Sequence, residues 1–296
     1  MEKRVMTFVV PPELDGIEVQ KFLRRFCGVS ARLLSQLKRT QEGMQANGVH
    51  IRSIDKLHAG DRMTLTLPES VSTAQPVDLP ITVVYEDDDV LAVNKPPFMT
   101  VHPVHGHQND TLANAVAAYS LKTGRHFTFR PVNRLDKDTS GLVLIAKNPY
   151  AAAILPKTIE KVYMALCEGN LEGSGTIDAP IKLMEGHTIQ REVAVDGKRA
   201  VTHYEVLKNA YNHTLLRIIL ETGRTHQIRT HFSSIGHPLA GDDMYGGSRQ
   251  YFERQCLHCA EMRFLSPETH EIIHIKCSPE DWFEILERKM NQSPCV

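Results

Sequence analysis

PVNRLDKDTSGLVLIAKN, residues 131–148, sets a polar loop directly against an unbroken apolar run. GLVLIA shows no alternation, which is the pattern of a strand buried on both faces. Asp136 lies in the loop just ahead of it. A carboxylate at the mouth of a buried strand is partly desolvated and rigidly aimed, as a nucleophile or general base requires. Asp138, Thr139 and Ser140 are expected to satisfy turn amides, and Gly141 to permit close backbone approach. An arbitrary aspartate before a strand is more often a structural turn, so the loop alone does not assign chemistry.

Around this stretch the chain reads as strands: ITVVYEDD, VLAVNKP, KVYMALCEG, AVTHYEVLKN and HTLLRIILET. LANAVAAYSL and YAAAILPK are the clearest helices. Strands follow one another without a regular strand–helix alternation, which predicts an α+β fold with a mixed, largely antiparallel sheet. Downstream, TLLRIILETGRTHQIRTHFSSIGHPLAGDDMYGG covers residues 214–247. Thr225 is expected to cap a helix that runs to about Ile235 and ends at Gly236 and Pro238. Arg229 falls in its first turns, where a guanidinium can take a carboxylate bidentately, keep it ionised and lower its pKa. Ile228 offers an apolar wall beside it. In KTIEKVYMALCEG, residues 157–169, Lys161, Tyr163, Ala165 and Cys167 share one face of a strand. A lone strand tyrosine is usually core, but beside a cleft it can stack on a flipped base.

Ahead of the strand-rich region, Val19, Phe22 and Leu23 have helical spacing, and Ser30 can cap a second helix with Leu33, Leu34 and Leu37 inward. Asn47-Gly48 signals a hairpin, and Met63, Leu65 and Leu67 alternate as a strand. Between Phe22 and Gln41 stand Arg24, Arg25, Arg32, Lys38 and Arg39 with no acidic residue. An isolated charge run is usually a solvated helix face. LDGIEVQKFL, SARLLSQLKR, MQANGVHI and HAGDRMTL in that order resemble the small RNA-binding module named for a ribosomal small-subunit protein, the S-four domain. That resemblance implies that Arg32, Lys38 and Arg39 face RNA. The expected organisation is a small N-terminal α/β RNA-binding domain over 1–70, a proline-rich linker over 71–80, and a larger domain containing a cleft over 81–296.

The 296 residues carry a net charge of −1, 42% hydrophobic and 23% charged residues. These values are ordinary for a globular protein, and no stretch is apolar enough to span a bilayer. The N-terminus does not read as a signal peptide. A cytoplasmic protein acting as a monomer is expected. Fifteen histidines and six scattered cysteines raise the question of metal. His226 and His231 are five residues apart, hence about 140° apart around a helix, and cannot share a face. His102, His105 and His107 stand in a loop-like stretch with no rigid element. Cys256, His258, Cys259, His274 and Cys277 form only an incomplete zinc pattern and are better read as buried strand residues. No metal site is expected.

RLDKDTSGLVLIAK, KVYMAL and GRTHQIRTHFSSIGHPLAGDDMYG, behind an S-four-like module, together resemble the RluA-type family of RNA pseudouridine synthases. VVYEDDDVLAVNKPPFMTVHP and RQCLHCAEMRFLSPET extend the likeness over about residues 12–285. The resemblance implies a base-flipping isomerisation of uridine in structured RNA, without a cofactor. Large-subunit ribosomal RNA is the leading substrate and transfer RNA the second. Position by position it implies Asp136 as the essential aspartate, Tyr163 as the base-stacking tyrosine and Arg229 as the arginine paired to Asp136. Arg134 would help to hold the flipped nucleotide, and Ile228 would pack beside the base. Asn133 stands where many members have histidine, so altered contacts with RNA are expected there. Two rival classes are a non-catalytic RNA-binding protein in ribosome assembly, which would not need Asp136, Tyr163 and Arg229 together, and a metal-dependent hydrolase.

Overall fold

The computed structural model describes residues 3–68 and 74–292. The first three residues of the expected linker, 71–73, lie outside the described residues, as do 1–2, 69–70 and 293–296 of the units flanking it.

The N-terminal part comprises β1 (Val5–Val9), β2 (Ile17–Glu18), α1 (Val19–Lys21), α2 (Ala31–Leu37), β3 (Met44–Ala46), β4 (Val49–His50), β5 (Lys56–Leu57) and β6 (Arg62–Thr66). A sheet in the order β1-β6-β3-β4 backs the helices. α1 continues into a wider turn over Phe22–Phe26. The Ser30 hydroxyl accepts the Leu33 N–H and starts α2. Asn47 and Gly48, both at positive φ, turn β3 back into β4. Val19, Phe22, Leu23, Leu33, Leu37, Met63 and Leu65 form a core of their own. Tyr150, far along the chain, is fully buried in that same core, edge-on to Phe8.

The rest is built on β7 (Thr82–Glu86), β8 (Val90–Lys95), α3 (Leu112–Lys122), β9 (Ser140–Ala146), α4 (Ala151–Thr158), β10 (Glu160–Glu168), β11 (Ser174–Asp178), β12 (Ile181–Leu183), β13 (Arg191–Val193), β14 (Val201–Ala210), β15 (His213–Leu220), α5 (Gln227–Ser234), β16 (Leu257–Leu265), β17 (Ile272–Lys276) and α6 (Trp282–Gln292). One nine-stranded sheet runs β11-β14-β15-β10-β16-β9-β8-β7, with β17 on β16. All its pairings are antiparallel except β9 with β16. The α+β class with a largely antiparallel sheet is therefore correct. Every residue of β9 is buried, as its unalternating apolar run requires.

Gly141 opens β9 at a φ of 110° where the strand lies parallel to β16. A Cβ there would collide with the Cys259 backbone. Only glycine permits this approach, and it is what brings the 131–139 loop to the sheet's centre.

Two helix expectations need correction. α5 begins at Gln227 with His226, not Thr225, in the capping position, and His226 adopts left-handed backbone angles. No side chain caps the helix; the Gln227 amide oxygen instead accepts the Arg224 N–H and ties down the turn that leads into it. α6 has no counterpart in the sequence reading. It packs Trp282, Phe283 and Leu286 against Leu166, Phe252 and Cys256.

Candidate active site

Asp136 sits at the lip of a small cavity of about 70 Å³ lined by Arg134, Leu135, Asp136, Thr139, Tyr163 and residues 226–229, among others. It is far smaller than the cleft of roughly 300–1,000 Å³ that a drug-sized ligand occupies, which suits one planar ring.

The loop bearing Asp136 is pinned from below along its length. Asn133 is buried; its amide donates to the Leu142 carbonyl and accepts the Leu144 N–H. Asn133 therefore staples the loop to β9. The fully buried Lys95 ammonium donates to the carbonyls of Pro96, Met99 and Lys137, at 2.8, 2.8 and 3.0 Å. Burial pushes its pKa down to about 7 against the pull of Asp138 and Asp136. Arg254 reaches the Asp138 carbonyl, and Gln255 reaches the Thr139 hydroxyl. The turn is closed by the Thr139 N–H on the Asp136 carbonyl. Ser140 turns away to pair with His258 at 2.9 Å. Thr139 and Ser140 thus bind β16 and its approach, where turn amides were expected. Lys95, Arg254 and Gln255 were missed because nothing in their local sequence marks them as loop supports.

Arg229 is buried on α5 and lies 3.2 Å from Asp136 Oδ2. Its bidentate partner, however, is Asp242, at 2.6 and 2.7 Å. The expected fork on Asp136 is thus a single contact, with the fork taken by a buried acid further along the chain. Burial works against the guanidinium charge, but Asp242 and then Asp136 outweigh it and hold the pKa above the usual range. The Tyr245 ring lies under the guanidinium, 4.9 Å away. Arg229 is therefore held in place and charged, with Nη1 left to face Asp136.

Tyr163 on β10 and Ile228 on α5 are buried and line the same cavity. Desolvation foremost, then the charges of Cys259 and Asp136, pushes the Tyr163 hydroxyl well above the usual phenol range, so it stays protonated at neutral pH. Arg134 is exposed at the cavity's edge. Asp136, Tyr163, Arg229, Arg134 and Ile228, from three separate stretches, are thus brought together. Arg32, Lys38 and Arg39 lie elsewhere, exposed on the N-terminal part.

The histidines have separate partners. His231 pairs with Thr202 and the Ala179 carbonyl, His237 with the Glu168 carbonyl, and His274 with Glu261. His258 is held between Ser140 and the Cys277 carbonyl. Among the described residues no group of three or more His, Cys, Asp or Glu is arranged to hold a metal ion. No helix among them is long and apolar enough to cross a membrane.

An acid on a pinned loop is thus paired to a buried arginine at a small cavity. The sequence profile of the RNA pseudouridylate synthase family matches residues 89–234, which include most of these side chains. A Bacillus subtilis protein described as the uncharacterized RNA pseudouridine synthase YjbO is 37% identical over 271 residues, 88% of this chain and 95% of that one. A Xylella fastidiosa protein named ribosomal large subunit pseudouridine synthase D is 33% identical over 291 residues, 89% of this chain and 88% of that one. The chain belongs to the RluA-type RNA pseudouridine synthases. In fold it is similar to the solved structure of human RNA pseudouridylate synthase domain containing 1, with a TM-score of 0.58 at 23% identity over 74% of this chain and 98% of that one.

Proposed function

We propose that this RNA pseudouridine synthase uses Asp136 as its reacting group, with Arg229 as its charge partner and Tyr163, Ile228 and Arg134 holding the flipped uridine. The observation that carries this reading is the 3.2 Å contact between Asp136 and Arg229 on the wall of a cavity shared with Tyr163 and Ile228. Unstacking a uridine costs a few kcal/mol, which the Tyr163 ring and the Arg134 charge offset. Seating the base expels water and strengthens the Asp136–Arg229 attraction. Two routes start here. In one, Asp136 attacks C1′ as the C1′–N1 bond breaks and uracil leaves with the electron pair. In the other, the Asp136 carboxylate takes the C2′ proton as that bond breaks, so that the C2′–H pair forms the glycal double bond and uracil leaves with the C1′–N1 pair. The protonated Tyr163 hydroxyl suits a donor and stacking role better than that of a resting base. No cofactor enters either route.

Residues 1–70 are read as an S-four-like RNA-binding module joined by a linker at 71–80 to a synthase domain over 81–296. Lys38 lines a groove of about 420 Å³ with Lys21, Arg24 and Arg25, and Arg32 and Arg39 are exposed nearby in sequence. Burial, and then the charge of Arg32, holds Arg130 below the usual guanidinium range, so basic groups from both parts converge. Such convergence suits a phosphate backbone. The name of the Xylella relative favours large-subunit ribosomal RNA as the substrate, ahead of transfer RNA. A cytoplasmic monomer fits that substrate. The test is to map pseudouridine across total RNA from cells with and without the gene. Loss of a site in large-subunit RNA is the expected result; loss confined to transfer RNA would overturn the ribosomal assignment.

A further inference from the structure

His226 is the residue around the cavity whose geometry the reading above leaves unused. It holds φ at 56° and ψ at 20°, left-handed angles that cost a non-glycine residue about 1–2 kcal/mol and cluster at working sites. Its ring is nearly enclosed, edge-on to Tyr245. Nδ1 lies 2.8 Å from the Tyr245 hydroxyl, and Nε2 lies 3.7 Å from Asp136 Oδ2.

The proton on this ring can be located from its partners. The Tyr245 oxygen already accepts the Arg191 N–H from β13, at 2.8 Å. Its own proton has two acceptors in reach, His226 Nδ1 at 2.8 Å and the neighbouring Thr230 hydroxyl; given to Nδ1, it puts the imidazole proton on Nε2, the nitrogen that faces Asp136. The opposite tautomer would aim a bare Nε2 lone pair at a carboxylate, which is unfavourable, and this decides between the two. The charged groups around the ring are Asp136, Arg229, Asp242 and Arg191; desolvation dominates them and lowers its pKa, so the ring is neutral at pH 7.

Resting on the reading of Asp136 as the reacting group, we propose that His226 is a positioning residue, fixed by Tyr245 as the neutral Nε2–H tautomer, that gives Asp136 Oδ2 a second donor beside Arg229 and leaves Oδ1 to face the sugar. Oδ1 has no hydrogen-bond partner among the described residues, whereas Oδ2 is addressed from both sides. The 3.7 Å separation is too long for a hydrogen bond, and shortens when the seated base expels water, as such contacts commonly do in the substrate complex. Because Arg191 belongs to the β12–β13 hairpin, the seat of that hairpin also sets which ring nitrogen bears the proton.

The first measurement is the ¹⁵N spectrum of the intact protein's histidines, with His226 assigned by its loss in His226→Gln. A protonated Nε2 with a bare Nδ1 is expected, and Tyr245→Phe should erode that preference; a protonated Nδ1 in the wild type would overturn the proposal. The second is the rate of pseudouridine formation in total RNA from cells lacking the gene. Gln, which offers an N–H at the Nε2 position, should stay within roughly fivefold of wild type, while His226→Phe should lose about 10- to 100-fold in kcat with RNA affinity within about twofold. Equal rates for Phe and wild type, or equal losses for Phe and Gln in folded proteins, would also overturn it. An active Asp136→Asn would instead remove the reading of Asp136 while leaving the tautomer standing.

Discussion

Among the described residues two carboxylates are almost fully buried, and each is gripped by a forked arginine: Asp242 by Arg229 beside the cavity, and Asp89 by Arg4 where the two cores meet. The pairs are chemically alike and differ in what surrounds them. Asp89 also accepts the Asn148 amide, and Arg4 spends its remaining reach on Glu268 at the surface. Next to them Tyr150 plugs the N-terminal core. Arg4 and Asp89 spend their charges on each other and on these neighbours, so the pair acts as a fastener. Arg229, by contrast, keeps one N–H for a third acid, Asp136, whose side chain is 29% exposed toward the cavity. A buried ion pair is costly to assemble and adds little net stability. What it supplies beside the cavity is a guanidinium that cannot move or lose its charge.

The comparison can be broken most severely at its free acid. Asp136→Asn should lower pseudouridine formation by at least roughly a thousandfold, with RNA affinity within about twofold in a binding titration. Normal product from that variant would return Asp136 to the rank of a turn residue. Arg229→Met strands Asp242 and should cost about 3–5 kcal/mol in denaturant unfolding together with most activity. Adding Asp242→Leu should recover much of the stability and none of the rate, which separates platform from fastener. Arg4→Met should cost less, about 2–3 kcal/mol, because Asn148 still serves Asp89 and Arg4 is partly solvated, and kcat should not change. A large fall in kcat there would mean that docking of the two cores feeds the site.

The smallest effect concerns acid. Burial pushes His258, behind the Asp136 loop, down to about 4. The unfolded chain, with an ordinary imidazole near 6.5, therefore binds more protons between these values, so stability rises with pH across that window and is lost as pH falls. His226 and His231, also lowered chiefly by burial, add to the same slope. From pH 7 to pH 5 the His258 contribution amounts to about 1–2 kcal/mol, and His258→Gln should flatten the measured slope by that amount.

Much of this was legible in the chain itself. The unalternating GLVLIA run announced a strand buried on both faces, Ser30 announced the start of α2, and Asn47-Gly48 announced a hairpin. Each is a local signal, carried by periodicity or by backbone angles that few residues adopt. The order of the RLDKDTSG, KVYMAL and GRTHQIR stretches announced the family and drew attention to Asp136, Tyr163 and Arg229.

What local signals could not carry was partnership across the sheet. His226 had been weighed as a metal ligand and Asp242 had been given no role, since a sequence shows which groups are present but not which way they face. Asn133 stood out only as a departure from a common histidine, and the fold shows it tying the loop to β9. Lys95 is an ordinary strand lysine until three carbonyls from two loops converge on it. The fork of Arg229 had been expected on Asp136, and only the packing of α5 against the Asp242–Tyr245 turn gave it to Asp242. The chain determined which side chains were available and what local backbone each would accept. Tertiary structure decided their pairing, because charges buried far apart in sequence take the nearest partner that the packed core leaves them.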